Sequence, residues 1–232
     1  MNLGELITMG RSRVPGAKSS VIDDDVIRII LNQGKDELCF YAKCLPVNEK
    51  FSTVASTEEY DLTSELTRYL MPQPSGLWWN AGSSASPNWQ QLDAVTIGWL
   101  DKYKPAWRDA SAGSPLYYYI EGDKANVHPK PTSSLTDGLW MYHYQKSADM
   151  SQDDDYPFGG SNEISRLSVF SEALLLYWEM RANFMINEEA LALQAKQAYL
   201  QERGEKIALL NTRPDLLNSE KAIMSVPSIG DY

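Results

Sequence analysis

Apolar positions recur every three or four residues near both ends of the chain and alternate over short stretches between them, so helices are expected at the ends and strands in the middle. Asn2 followed by Glu5 is a capping-box pattern, and Leu3, Leu6 and Ile7 give one apolar face, predicting a helix over about 2–12. Asp23, Asp24 and Asp25 supply a cap and negative charge ahead of Ile27, Ile30, Leu31, Gly34, Leu38, Tyr41, Ala42 and Leu45. That spacing predicts a helix over about 24–45, ended by Pro46. Gly34 lies on its apolar face, which points to close helix packing or a slight kink.

From Asn48 the period shortens. Residues 51–54 and 60–62 read as strands around a turn-rich stretch, and 72–87, rich in Gly, Ser, Pro and Asn, reads as an extended loop carrying Trp78 and Trp79. A short helix is predicted over 90–103, closed by Pro105. Strands follow at 116–121, 125–128 and 139–145, with Gly122-Asp123 as the hairpin turn between the first two.

An acidic connector over 148–160 precedes a helix at about 162–185, capped by Ser161 or Asn162 and apolar almost all round, hence central and buried on most sides. A last helix over 187–204 is predicted with Asn187 as its cap. Beyond Glu205, Ile207, Leu209, Leu210, Leu216, Leu217, Ile223, Met224, Val226, Ile229 and Tyr232 are interrupted by Pro and Gly. A segment so apolar and so broken is suited to ordering on a partner, and these residues are the candidate docking set. The fold class expected is α+β, mainly α: a bundle of about four helices with a small antiparallel β-insertion over about 48–146 and an extended C-terminal arm. One domain is expected over 1–204, with the arm over 205–232.

Composition narrows the function. A chain of 232 residues with 43% hydrophobic and 22% charged residues can bury a sizeable core. No apolar run has membrane-spanning length, and the start MNLGELITMGRSRV lacks a signal-peptide pattern, so synthesis in the cytosol without a membrane partner is expected. The net charge of −10, with Lys and Arg scattered singly, argues against phosphate binding as the main activity. Cys39 and Cys44, five apart in one predicted helix, are expected to face away from each other as buried free thiols.

No nucleophile elbow, Walker loop, HExxH or CxxC occurs, and neither His128 nor His143 has a second ligand at metal spacing. No catalytic, cofactor or metal site is therefore assigned. Asp153, Asp154 and Asp155 lack the EF-hand pattern and read as a solvated loop. Trp78, Trp79, Trp89, Trp99 and Trp107 crowd into thirty residues, which fits either interface and core anchors or a platform for sugars or nucleobases.

The order of several short motifs is informative. Ala55-Ser56-Thr57-Glu58-Glu59-Tyr60-Asp61-Leu62, Pro105-Ala106-Trp107, Gly113-Ser114-Pro115-Leu116-Tyr117-Tyr118-Tyr119 and Val127-His128-Pro129-Lys130-Pro131, set between helical ends, resemble the head-to-tail adaptor (connector) proteins of tailed bacteriophages over about 1–204. The chain departs in a longer Trp78 to Trp89 stretch and in Thr63, where a proline is common. The resemblance implies a structural virion protein at the phage neck, not an enzyme, made in the host cytoplasm. It implies a ring, commonly dodecameric, beneath the portal protein and above a downstream tail or nozzle protein, with DNA passing through the channel without sequence-specific binding. The C-terminal arm is implied to dock on the portal. A Trp-rich carbohydrate- or receptor-binding module, and a hydrolase with an unrecognised carboxylate pair, are the alternative readings.

Overall fold

The chain leaves a helical unit after Cys44 and re-enters it at Ser147, and the residues between, 45–146, make a second unit with its own core. The computed structural model describes residues 1–212. In chain order the elements are α1 (Leu3–Arg13), α2 (Asp24–Ala42), β1 (Pro46–Thr53), β2 (Glu59–Asp61), α3 (Leu62–Glu65), β3 (Tyr69–Asn80), β4 (Trp89–Gln91) and β5 (Asp93–Ala94). They continue as α4 (Ile97–Tyr103), β6 (Tyr117–Glu121), β7 (Lys124–His128), β8 (Leu135–Gln145), α5 (Ser171–Met185) and α6 (Glu189–Thr212).

In the helical unit, α5 packs against α1, α2 and α6. Its Ala173, Leu174, Leu175, Tyr177, Trp178, Met180 and Ala182 are all buried, as its all-round apolarity predicts. Two glycines set how closely its neighbours approach. A Cβ on Gly10 of α1 would stand 2.6 Å from Trp178 Cδ1, and one on Gly34 of α2 would stand 2.7 Å from Tyr177 Cδ1. The aromatic rings of α5 therefore rest on bare helix backbone, and Gly34 serves close packing.

The caps explain where these helices start. Asn2 Oδ1 accepts the Glu5 N–H at 2.9 Å and the Glu5 carboxylate accepts the Asn2 N–H at 3.0 Å, completing the capping box. Two more N–H groups of α1, from Leu3 and Gly4, donate to the carbonyls of Asp155 and Asp153 at 2.8 and 2.9 Å. The acidic connector, expected as a merely solvated loop, thus satisfies orphan donors of a helix N-terminus. Asp23 caps α2 through the Val26 N–H. Neither Ser161 nor Asn162 caps α5: a 3-10 helix, Ser165–Phe170, intervenes, and α5 begins at Ser171 without a side-chain cap. Asn187 likewise caps no helix; it takes φ 62° in the turn between α5 and α6. The last helix does not stop at Gly204 but continues to Thr212.

The second end of α2 also departs from expectation. The helix stops at Ala42 because Lys43 adopts the left-handed conformation, φ 49° and ψ 43°, and its N–H bonds the Cys39 carbonyl at 3.0 Å. Cys44 is therefore outside the helix that holds Cys39, so the five-residue helical spacing expected to separate the two does not apply. Both are free and buried.

A cation is buried in this unit where only apolar residues were expected. Lys35 is 0% exposed, and its Nζ donates to the Ala148 carbonyl at 2.6 Å and to Asp149 Oδ1 at 3.2 Å. One turn earlier, Asn32 makes a reciprocal pair with the Met150 backbone at 2.9 and 3.1 Å. Together they tie the returning chain to α2.

The second unit holds two four-stranded sheets, ordered β1-β8-β3-β4 and β2-β7-β6-β5. Phe51, Leu77, Trp79, Leu139 and Met141 from the first and Tyr60, Tyr118, Ala125 and Val127 from the second share one buried cluster. The far side of the smaller sheet is covered by α4 and Trp107, where Leu100, Trp107 and Tyr119 form a separate cluster. β6 and β7 make the expected hairpin, with Glu121 opposite Lys124 and Gly122 at φ 62°. Asp61 Oδ1 accepts both the backbone N–H and the hydroxyl of Thr63 at 2.9 and 2.7 Å. A proline at that position would have no N–H to give.

Two sequence expectations fail in this unit. The stretch 72–87, read as a loop, contributes most of β3, because the register with β8 shifts between Pro72 and Leu77 and lets the proline-rich part stay in the strand. Of the helix expected over 90–103 only α4 forms, capped by Thr96, and the residues before it become β4 and β5. These failures correct the fold class. Among the described residues the protein is a mixed α+β structure of six α-helices and eight strands in two sheets, and not a mainly α four-helix bundle with a small β-insertion. The β region is too long, and too well supplied with inward-facing apolar side chains, to be an appendage.

Candidate docking surfaces

The four motifs scattered along the middle of the sequence come together on the smaller sheet. The tyrosine run and the His-Pro-Lys-Pro run lie side by side: Leu116 N–H donates to the His128 carbonyl at 2.9 Å and Gly113 N–H to the Lys130 carbonyl at 2.8 Å. The Ala55 to Leu62 motif flanks their other side, through Ser56 N–H to the Pro131 carbonyl at 2.8 Å and Val127 N–H to the Glu58 carbonyl at 2.9 Å. Trp107 closes the group edge-on, its ring 6.0 Å from Tyr119 and 5.6 Å from His128. Its indole N–H donates to Asp101 Oδ1, which also takes Arg108; the Arg108 and Trp107 hydrogen bonds hold the Asp101 carboxyl below its ordinary value. Burial, with Glu58 and Glu121 nearby, pushes the Tyr119 hydroxyl up to about 12. These residues form a packing unit: the hydrogen bonds named run between backbones or join α4 to the segment that follows it.

The five clustered tryptophans do not make one platform. Trp79 and Trp107 are buried in separate cores, and Trp99 lies against Tyr103 and Tyr117. Trp78 and Trp89, joined by Trp140 and Tyr142 from β8, instead line the outward face of the larger sheet. Ring centroids are 5.3 Å apart for Trp89 and Trp140, 5.1 Å for Trp140 and Tyr142, and 6.5 Å for Trp78 and Tyr142. Strand alternation produces this face: in β8, Leu139, Met141 and His143 point into the core while Trp140, Tyr142 and Tyr144 point out. Lys50 Nζ sits 5.3 Å and 5.5 Å from the Trp89 and Trp140 rings. The Trp78 and Trp140 indole N–H groups are engaged by the Ser75 carbonyl and Asn48 Oδ1, so those two present ring faces more than donors. Trp140 and Tyr142 extend the platform beyond the sequence cluster, and the alternating pattern of β8 was the signal for them.

The C-terminal helix carries two apolar faces. One is packed inward through Ala192, Ala195, Tyr199 and Leu210. The other, Ala190, Leu193, Gln197, Leu200, Gly204 and Ile207, repeats at alternating three- and four-residue steps and faces outward, with Leu193 54% and Leu200 44% exposed. Of the candidate docking residues, Ile207 is half-buried on the outward face, Leu209 is half-buried, and Leu210 is 1% exposed and belongs to the core. Leu216, Leu217, Ile223, Met224, Val226, Ile229 and Tyr232 lie outside the described residues.

Among the described residues no three His, Cys, Asp or Glu side chains gather as a metal-binding group, and no helix is long and apolar enough to cross a membrane. His128 and His143 are both buried in the sheet unit, and burial lowers the pKa of each.

A family model described as SU10 adaptor protein matches residues 1–221. The match takes in both units, all four motifs and the whole of α6. No curated protein matches the chain.

Proposed function

The chain belongs to the SU10 adaptor protein family, a phage head-to-tail adaptor, and from that premise we propose that it forms a ring beneath the portal, prolongs the DNA channel and links the head to the tail. The observation that carries the reading is the reach of the family match, which runs through the last described helix and on into the arm, to residue 221. The ring is proposed as a dodecamer, with a tail or nozzle protein on its far side. The role is structural, and no substrate or cofactor enters it.

Two surfaces support assembly as the work of this chain. The outward seam of α6 has helix-pairing spacing, which suits a neighbour's helix. The Trp and Tyr face of the larger sheet has the composition of an interface core. The arm, over 205–232, is proposed to dock on the portal, with the apolar residues past Pro214 supplying the contact. A protein of net charge −10 that rings a DNA channel would turn acidic residues to the lumen and let the duplex slide.

Because Leu210 is in the core, the informative truncation ends at Thr212. That chain is expected to keep its thermal unfolding midpoint and to lose co-sedimentation with purified portal. Normal portal binding by the truncated chain would remove the arm from the proposal. The aromatic face leaves a glycan-binding reading as the alternative. Tryptophan emission that shifts and saturates with a particular glycan would favour it over a subunit contact.

A further inference from the structure

We propose that two free copies of the chain pair about a two-fold axis parallel to α2 and α6, with α2 of each copy lying against α6 of the other. The outward seam of α6 has a counterpart on α2. Ile29 and Phe40 are 56% and 49% exposed there, with Gln33 and Asp36 between them. Positions 29, 33, 36 and 40 advance by the same four-three-four steps as 193, 197, 200 and 204. Glu37 meets Tyr199 and Arg203, and Tyr41 meets Arg203, so the two helices run parallel. Round α2 the order is Gly34 against α5, then Tyr41 and Glu37 against α6, then the strip. Round α6 it is Tyr199 against the Tyr177 ring of α5, then Arg203 against α2, then the seam. In parallel helices side by side these two turns have opposite sense, so strip and seam share the face that looks away from α5.

The register is already set within one chain. Glu37 reaches residues 162 and 166 positions further on, so level positions on the two helices are about 164 apart. The same separation relates Ile29 to Leu193, Gln33 to Gln197, Asp36 to Leu200 and Phe40 to Gly204. A two-fold axis parallel to the helices leaves each residue at its own level, so it sets these pairs opposite each other across the two copies. Ile29 meets Leu193, and the two Gln amides bond each other and hold the register. Asp36, opposite Leu200, lies at the outer rim with its side chain 41% exposed. Phe40 meets a hole. Gly10 and Gly34 each carry an aromatic ring of α5 on bare backbone, whereas Gly204, in an exposed helix interior where glycine is unfavourable, has nothing within 4 Å. The second copy's Phe40 supplies that ring. Charge agrees with size. Lys196 flanks the seam, exposed and in no ion pair among the described residues, and coiled-coil spacing brings it to Glu37 of the second copy. Tyr199 and Arg203 both bond Glu37 Oε1, which leaves Oε2 for the lysine. Here one surface meets itself, whereas a contact repeated round a ring joins two different surfaces, so the pairing does not rest on the proposed ring.

Sedimentation velocity of the full chain without portal, over a series of concentrations, tests this. The expected species is a reversible dimer, and Leu193→Asp is expected to leave only monomer. Phe40→Ala empties the ring from the hole and Gly204→Leu fills the hole, and each should weaken pairing about tenfold. Combined in one chain, the two changes move the large side chain to the other helix and should restore most of the affinity. All three positions are exposed, and folding of each variant is checked on dilute chain, where the pairing is absent. A wild-type chain found only as monomer or only as a larger ring would overturn the proposal and leave the ring reading standing. So would a dimer indifferent to Leu193→Asp, or losses at 40 and 204 that add instead of cancelling. A full chain that stays monomeric while the chain ending at Thr212 dimerises would assign this face to the arm instead.

Discussion

Arg203 and Glu37 join the last helix to the second one: Arg203 Nη1 lies 2.6 Å from Glu37 Oε1. The same carboxylate oxygen accepts the Tyr199 hydroxyl at 3.0 Å, and the guanidinium stacks 4.0 Å from the Tyr41 ring centroid. Burial and then Glu37 raise the Tyr199 hydroxyl well above its ordinary value, so it remains a donor to the carboxylate at every pH at which the protein is handled. The clasp holds α6 at Tyr199 and Arg203, between the exposed Leu193 and the half-buried Ile207 of the seam, and so fixes how that seam is presented.

Glu37→Gln should therefore weaken the helical unit by about 1–2 kcal/mol, the scale of losing a charge-assisted hydrogen bond. With Arg203→Met as the second arm, a double-mutant cycle in urea should give a coupling of about 1 kcal/mol with an unchanged m-value. Additive effects would mean that the pair is held together by its surroundings and not by itself.

Gly34→Ala and Gly10→Ala should each destabilise by about 1–3 kcal/mol, because the added methyl meets an aromatic ring on α5 and the packing has to shift. Intrinsic helix propensity pushes the other way by about 1 kcal/mol. Gly204→Ala isolates that second effect. Nothing stands within 4 Å of its Cβ position, so it should stabilise by about 0.5–1 kcal/mol. Thermal melts of the three variants should thus move in opposite directions for one chemical change.

The contrast among these glycines shows what the sequence could reveal. Gly34 fell on an apolar face and its packing role was legible, whereas Gly204, on an exposed face, looked like a helix stop and is not one. The Asn2 and Asp23 caps, the Gly122 hairpin and the buried α5 all follow from local rules that nothing in the fold opposes. β3 was hidden because Pro72, Pro74 and Gly76 are turn residues, and only pairing with β8 on both flanks carries the strand through them, with Gly76 at φ 63°. The end of α2 at Ala42, which leaves Cys44 outside the helix, depends on one left-handed Lys, a residue with no preference for that conformation. The docking set was legible as a composition, but only tertiary packing could divide Ile207 from Leu210.

Lys35 interrupts an otherwise apolar helix face, and periodicity alone would count it as an error in the pattern. Lys35→Met keeps the length and removes the donor that the Ala148 carbonyl and Asp149 share. A loss of about 1–3 kcal/mol is expected, since the half-buried carbonyl loses its cationic donor and keeps only the Ser147 hydroxyl at 3.3 Å. Asn32→Ala, which frees the Met150 backbone at the edge of the same clamp, should cost about 1–2 kcal/mol. Protease susceptibility around 147–150 should rise in both variants, and more in the first.

Acidification should unfold the sheet unit before it affects most carboxylates. His143 is 0% exposed and lies 3.8 Å from Glu49 Oε2, too far for a hydrogen bond, and burial lowers its pKa more than Glu49 raises it. His128 is lowered for the same reason, with Glu58 opposing. The unfolded chain therefore binds protons at these histidines more readily than the folded one. Stability is full above the unfolded histidine value of about 6.5 and falls as pH drops through it toward the folded values. Asp61, Asp101, Asp155 and Glu172 are all shifted below their ordinary values, so their contributions are lost only at lower pH. Urea melts at pH 7.5, 6 and 5 should show the midpoint falling across that range. His143→Phe, which keeps an aromatic ring against Tyr69, should reduce the slope. An unchanged slope in that variant would assign the pH dependence to His128 alone, where Trp107 packs and the four sequence motifs converge.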